Sequence, residues 1–275
     1  MSFSPQKEEK SAKTNQSVEK VFSIIELLAG KDGPMRLQDI AAELGLNSST
    51  VLRFLATLMR CGYVIQDPDT LRYSLSYKIC TLGNKVSAQI SIRDVAHPFL
   101  MELSRIFGES VCLAVEQGMR VVYIDVVNGP DQMLRAMQRI GNAAPMHCTG
   151  VGKLMLLNAT PEGLDHFIAE KGMERFTQNT IVTKEGLLQE LEAARRDGYA
   201  FDNEECEIGA RCIAAPIRDY SGKVVAGISI TGPIFRITQE LIETRKGILL
   251  DTAAEISKRL GWNPDEPAIQ PNGPA

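Results

Sequence analysis

Ser49, Thr50, Arg53 and Thr57 lie within the stretch LQDIAAELGLNSSTVLRFLATLMRCG, spanning residues 37–62. At helical spacing they share one side, opposite an apolar stripe of Val51, Leu52, Leu55, Leu58 and Met59. Hydroxyl and guanidinium groups on the outer face of a short helix suit phosphate oxygens and base edges, and an Arg can pair bidentately with guanine. Before that helix, Leu37, Ile40, Ala41 and Leu44 form the apolar face of another, and Gly45 offers the positive φ of a tight helical exit. Asn47 or Ser48 can cap the second helix, and Ser48 stands with the outward hydroxyls. A short helix, a glycine turn and a polar-faced helix form a helix-turn-helix pattern, with an ordinary αα-hairpin as the alternative.

A second group of residues suits a different chemistry. Gly150-Val151-Gly152-Lys153 opens a helix expected over Thr149–Leu157, where free N–H groups and the helix dipole favour an anion. The glycines serve equally well for close helix-sheet packing. It is not a nucleotide P-loop, because His147 stands where the first Gly belongs and Leu154 where Ser or Thr belongs. His147, Cys148, Asp202 and Cys212 contain the side chains of a cysteine hydrolase, but adjacent residues 147 and 148 diverge in direction on strand or helix. His147 with Cys148, Cys206 and Cys212 shows no metal-ligand spacing either. No catalytic residues, metal or cofactor are expected.

These side chains need positioning elements. Residues 1–14 are polar, without periodicity, and are expected to be disordered; Lys7, Lys10 and Lys13 make them a solvated tail or an arm that touches phosphates. A first helix capped by Ser17 should run to Ala29 with Val18, Val21, Phe22, Ile25 and Leu28 inward. After the helix pair, Tyr63–Gln66, a turn at Asp67-Pro68-Asp69-Thr70 and Leu71–Ser74 read as a β-hairpin, which turns residues 15–74 into a winged helix-turn-helix. Arg72 is the cation of that wing. Residues 75–92 read as a linking helix whose seam, Leu75, Ile79, Leu82 and Val86, packs on the wing or pairs with a second subunit. Such pairing would set the half-site spacing of a palindromic duplex.

A second domain is expected over residues 93–261, with a Pro-rich disordered tail at 262–275. It opens with a helix to Phe107 carrying Pro98, in a first turn or at a kink. Strands follow at Val111–Glu116, Val121–Val127 and Met133–Gln138, and helices at Thr149–Leu157, after Thr160-Pro161, and at Lys184–Asp197. An acidic loop, Asp202-Asn-Glu-Glu-Cys-Glu, precedes strands at Cys212–Arg218 and Val224–Thr231, and a last helix spans Thr238–Leu260. Hairpins without strict βα alternation imply an α+β sensor-type domain on an antiparallel sheet.

Composition narrows the class. The chain has 275 residues, net charge −4 and 44% hydrophobic residues. The first 92 residues carry 11 Lys+Arg against 9 Asp+Glu and the remainder 19 against 25, so the positive balance lies with the helix-turn-helix. No apolar run would span a bilayer and the N-terminus lacks a signal-peptide core, so no membrane partner is expected. Six cysteines without CxxC spacing fit reduced thiols in a cytoplasmic protein.

From Ser17 to Gly261 the sequence resembles the IclR family of transcriptional regulators, most specifically in TVLRFLATLMRCGYV, GNAAPMHCTGVGKLML, FDNEECEIGARCIAAPI and VVAGISITGP. The resemblance implies a winged helix-turn-helix, a linking helix and a GAF-like effector domain, assembled as dimers or dimers of dimers. It implies repression or activation of genes of carbon catabolism in response to a small carboxylate. Carried over by position, Gly150 and Val151 would offer N–H groups to the ligand carboxylate. Asp202, Cys212 and Ser229, with Thr231, would make polar contacts, and Met133, Ala136 and Ala144 an apolar wall. Asp202 would act through a protonated or hydroxyl group or water, or else cap its loop. Where the family often has Ser or Thr before the first helix of the pair, Arg36 stands here. Either a cap worth about 1 kcal/mol is lost, or Arg36 gains a phosphate. A signalling module acting by protein contact alone would leave Ser49, Thr50 and Arg53 without a role.

Overall fold

The computed structural model describes residues 15–129 and 138–265, and the chain divides into two compact units between Gln89 and Ile90. The arm at 1–14, the end of the tail, Met133, Ala136 and the strand expected from Met133 lie outside the described residues. Gln138, at that strand's expected end, is not in a strand.

The first unit packs α1 (Gln16–Ala29), α2 (Leu37–Glu43) and α3 (Ser48–Arg60) around Ile24, Leu28, Ile40, Ala41, Val51, Leu55 and Leu58. Asn15, not Ser17, caps α1: its side-chain oxygen accepts the Ser17 N–H at 3.0 Å, so the helix begins earlier than expected. Asn47 stands at the N-cap of α3 without a side-chain hydrogen bond, and Gly45 has φ +61°. The expected apolar stripes were too wide. Val18, Phe22, Leu52 and Met59 are exposed, while Phe54 is half-buried. A helix against two neighbours of this size buries a narrow line, and α1 presents Ile24 and Leu28 along it.

The wing is β1 (Val64–Gln66) paired antiparallel with β2 (Tyr73–Leu75). Asp67 closes its turn, accepting from the backbone N–H groups of Asp69 and Thr70 and from the Thr70 hydroxyl, which holds its carboxyl below the usual range. Met35 bridges to Tyr73 from the other side and ties the start of α2 to the wing. Because Leu75 belongs to β2, the linking helix α4 runs from Lys78 to Gln89, shorter than the expected 75–92. Along it Ile79 is half-buried, and Leu82 and Val86 are exposed.

In the second unit, α5 (Ile92–Phe107) precedes β3 (Ser110–Glu116), β4 (Val121–Val127), β5 (Ala143–Ala144), α6 (Gly150–Leu156), α7 (Pro161–Lys171), α8 (Lys184–Asp197), β6 (Ala200–Asn203), β7 (Ala210–Arg218), β8 (Val224–Pro233) and α9 (Gln239–Arg259). Ser91 caps α5, and Pro98 sits inside that helix, past its first turn. Thr149, Thr160, Thr183 and Thr238 each cap the helix that follows, accepting a backbone N–H from its first turn. The sheet is antiparallel throughout, in the order β5-β4-β3-β8-β7-β6. Two pieces of it were not expected: the two-residue β5, and β6, which places Asp202 on an edge strand rather than in a loop.

Strand periodicity sorts the sheet's two faces. Val111, Leu113, Ile213, Ala215, Ile217, Ala226, Ile228 and Ile230 point one way and are covered by Leu100, Leu103 and Phe107 of α5 and Ile242, Leu249 and Ile256 of α9. The alternate residues face α6, where Ala114, Ala200 and Ala214 join Val151, Leu154 and Met155, backed by α7 and α8.

Candidate functional site

On the first unit, Ser48, Ser49, Arg53, Thr57, Arg36 and Arg72 are exposed and Thr50 is half-buried. Arg53 and Ser49 share the outer side of α3, with Val51, Leu55 and Leu58 buried beneath. The Thr57 hydroxyl donates to the Arg53 carbonyl at 3.0 Å, which occupies its proton within the helix. Arg36 is the N-cap of α2 and makes no side-chain cap bond, so its guanidinium is not spent on the helix end. In the wing, Arg72 reaches the Pro34 carbonyl at 3.4 Å. Arg60, exposed two turns beyond Arg53, extends the cationic side of α3; helical spacing alone would have found it.

On the second unit, register brings together side chains scattered along the chain. Asp202 of β6 pairs with Cys212 of β7, Cys212 with Thr231 of β8, and Thr231 with Ser110 of β3. One step along, Ala200, Ala214, Ser229 and Cys112 form the neighbouring row on the same face. Asp202, Cys212, Ser229, Thr231, Ser110 and Cys112 are all buried. Ser110 and Cys112 were missed; the alternation of β3 offered them, but only the β3–β8 pairing shows what they face. The Ser229 and Thr231 hydroxyls lie in hydrogen-bonding reach of the Cys212 sulfur. Ala144 is not part of this group. It pairs with Val121 and packs in the cluster under α6.

The thiols of the group are held in their neutral forms. Burial, with Asp202 beside it, pushes the Cys212 thiol up to about 12, and burial likewise raises Cys112 and the neighbouring Tyr123. Burial raises Asp202 to about 6, opposed by the backbone N–H groups of Glu205 and Cys206, which donate to its Oδ1 at 2.8 and 3.3 Å. Asp202 therefore does cap the turn that follows it, and its protonated form is accessible near neutral pH. Protonated thiols are poor nucleophiles. His147 gives no help: its Nε2 meets the Glu174 carbonyl at 3.0 Å, and burial lowers its pKa.

The start of α6 borders these rows. A Cβ on Gly150 would lie 3.1 Å from both the Ala200 carbonyl oxygen and Ala214 Cβ, and one on Gly152 would lie 2.3 Å from Met146 Cα. Across the contact, a Cβ on Gly227 would lie 2.7 Å from Val151 Cγ1. Close helix-sheet packing thus accounts for both glycines of the GVGK stretch. Lys153 is fully buried, with Nζ 2.6 Å from Glu205 Oε1, 2.9 Å from the Phe201 carbonyl and 3.0 Å from Glu190 Oε2. It joins α6 to α8 and to the turn after Asp202. Burial outweighs the Lys153 charge at Glu205, whose carboxyl rises to about 7. A separate cleft of about 360 Å³, lined by Met119, Arg120, Met146, His147, Phe167 and Phe176 among others, contains none of the expected effector residues that are among the described residues.

Compared with known proteins, residues 17–68 match the family described as the IclR helix-turn-helix domain, and residues 84–258 match bacterial transcriptional regulator IclR C-terminal. The chain is 34% identical over 259 residues to the HTH-type transcriptional repressor AllR of Salmonella paratyphi A, covering 94% of this chain and 95% of that protein. It is 33% identical over 247 residues to the HTH-type transcriptional regulator KdgR of Escherichia coli, covering 90% and 93%. The crystal structure of Thermotoga maritima IclR agrees with a TM-score of 0.60 at 34% identity, over 90% of this chain and 99% of that one.

Proposed function

The chain belongs to the IclR family of bacterial transcriptional regulators, and on that premise we propose that it is a sequence-specific regulator whose operator affinity is set by a small carboxylate bound in its second unit. Its relatives are transcriptional regulators, not enzymes, and its helix-turn-helix is of the DNA-binding kind. No helix among the described residues is long and apolar enough to cross a membrane.

Ser49, Thr50 and Arg53 read the major groove, Arg36 and Arg72 hold flanking phosphates, and Ser48 and Thr57 border the contact. Two chains pair through the exposed seam of α4, giving two recognition helices for a palindromic operator. The regulator works in the cytoplasm, where its operator lies.

The effector occupies the face where Asp202, Cys212, Ser229 and Thr231 meet beside Gly150 and Val151. One observation carries this reading: Asp202, Cys212, Ser229 and Thr231 from three strands, joined by Ser110 and Cys112 of β3, converge on one buried patch of the sheet. A few placed polar groups within apolar walls make a ligand pocket. A carboxylate fits if Asp202 is protonated, or if Asp202 faces a ligand hydroxyl while the ligand's carboxylate meets the first N–H groups of α6.

The test is a thermal-shift screen of the full chain against small organic acids, followed by operator binding with and without each hit. A ligand at 100 times its Kd should add about 2.7 kcal/mol of stability, and a hit should change operator affinity. Stabilisation that survives intact in Ser229→Ala and Asp202→Asn together would place the ligand elsewhere.

A further inference from the structure

Two thiols that the effector reading does not use lie side by side. Cys148 Sγ, on the residue before the Thr149 cap of α6, is 3.2 Å from Cys206 Sγ, on the turn after Asp202. Cys148 is fully buried and Cys206 half-buried, so a small oxidant meets Cys206 first. The backbones on either side are already held in place. The Cys206 N–H donates to Asp202, and Lys153 of α6 grips Glu205 and the Phe201 carbonyl. A disulfide sulfur pair sits about 2.0 Å apart, so bond formation needs the two sulfurs to close by little more than 1 Å.

We propose that Cys148 and Cys206 are a disulfide site, oxidised by hydroperoxides, that pins the turn carrying Cys206 to the start of α6. In the first step the Cys206 thiolate attacks a peroxide oxygen. The O–O bond breaks, leaving Cys206 as a sulfenic acid, and the leaving oxygen takes a proton to depart as water from hydrogen peroxide or as an alcohol from an organic hydroperoxide. In the second, the Cys148 sulfur attacks the sulfenic sulfur. The S–S bond forms, the S–O bond breaks, and water leaves with the Cys148 proton. The two electrons lost by the thiol pair end on the peroxide oxygens.

The surroundings set the speed. Facing Cys206 are Cys148 from the α6 side, Tyr123 from β4, Cys212 from β7, and Asp202 and Glu205 on its own segment, with Lys153 beyond Glu205. The Cys148 contact, burial and the two carboxylates hold the Cys206 thiol above its ordinary range. Since the thiolate is the nucleophile, oxidation is slow at neutral pH and speeds about tenfold for each pH unit gained. Any consequence for effector binding rests on the reading of the neighbouring face; the disulfide itself does not.

The experiment uses the full chain without effector. Reduced protein is treated with hydrogen peroxide at several pH values, quenched by alkylation, digested and mapped by mass. The expected result is one cross-linked peptide pair containing Cys148 and Cys206, two hydrogens lighter than the thiols, reversed by dithiothreitol. Hydrogen exchange over residues 203–209 should slow several-fold in the oxidised form. The proposal is overturned if peroxide that oxidises the exposed Cys61 and Cys80 leaves Cys206 a free thiol or carries it to sulfinic acid. It also fails if cross-linking does not speed with pH, or if exchange over 203–209 is unchanged. Cys206→Ser should abolish the cross-linked pair, and a disulfide from Cys148 to another cysteine in that variant would count against the assignment.

Discussion

The two faces of the large sheet are made by the same strands and obey different rules. Toward α5 and α9, β8 presents Ala226, Ile228 and Ile230; toward α6 it presents Gly227, Ser229 and Thr231. The first face is filled by large side chains whose value is the water they exclude. The second is kept small and polar, so that a helix backbone approaches at one end and a cluster of neutral hydroxyls and thiols collects at the other. The same division recurs in α3, with Val51, Leu55 and Leu58 beneath and Ser49 and Arg53 above. In both places, residues one apart in sequence answer to different demands. Substituting neighbours is therefore the sharpest way to separate stability from recognition.

The largest effect should come from the apolar face. Ile228→Ala should cost about 2–5 kcal/mol of stability, read by denaturant unfolding, while any effector bound by folded protein keeps its affinity. A loss of effector binding with stability intact would break the division between faces. Next, Arg53→Ala should weaken specific operator binding by about 1–3 kcal/mol if it reads a base, or lower the salt slope by about one unit if it holds a phosphate. Thermal unfolding should not change, and unchanged titrations at two salt concentrations would remove Arg53 from the interface. Ser229→Ala, one residue from Ile228, should cost about 0.5–1.5 kcal/mol of effector affinity by calorimetry, with little change in melting temperature.

The smallest effect is a pH dependence. The folded carboxyls of Asp202 and Glu205 titrate near 6 and 7, above their unfolded values, because burial penalises the charged forms. Their contribution to stability is fully present below the unfolded values and is lost as pH rises through about 6 and 7. Other carboxylates, such as Asp67 and Glu243, shift downward and act in the opposite sense. The measurement is thus a difference: melting temperature against pH for the wild type minus that for Asp202→Asn with Glu205→Gln. The wild type should lose ground relative to the variant between pH 5 and pH 8; parallel curves would show that neither carboxyl is desolvated.

What could be read from the sequence tracks how local its determinants are. Gly45 and the caps at Thr160, Thr183 and Thr238 act within a few residues, so the helix-turn-helix and the later helix starts stand where spacing put them. The alternation of β7 and β8 was visible for the same reason. Competition between near neighbours was harder: Asn15 captures the cap expected of Ser17, and Phe22 loses the core to Ile24. Lys153 could not be recognised as buried, because its partner Glu205 lies 52 residues away. Nor could Ser110 and Cys112 be joined to Ser229 and Thr231 before β3 was known to pair with β8. The glycines of the GVGK stretch read equally as an approachable helix end and as close packing; the space a Cβ would take at each is filled by Ala200, Ala214 and Met146, which only the pairing of distant segments reveals. Gly150→Val would therefore strain the domain rather than only block a ligand.

That close contact has a mechanical consequence. Most helices rest on a sheet through long side chains, and small slides are absorbed as rotamers change. At Gly150 and Gly152 the helix backbone meets Ala200, Ala214 and Met146 directly, and at Gly227 only the short Val151 side chain stands between α6 and β8. Dense packing is bistable rather than continuously deformable, and here even the repacking is removed. A push on the first turn of α6 is therefore not dissipated where it is applied. It bears directly on β7 and β8, whose far faces share one apolar core with α5 and α9.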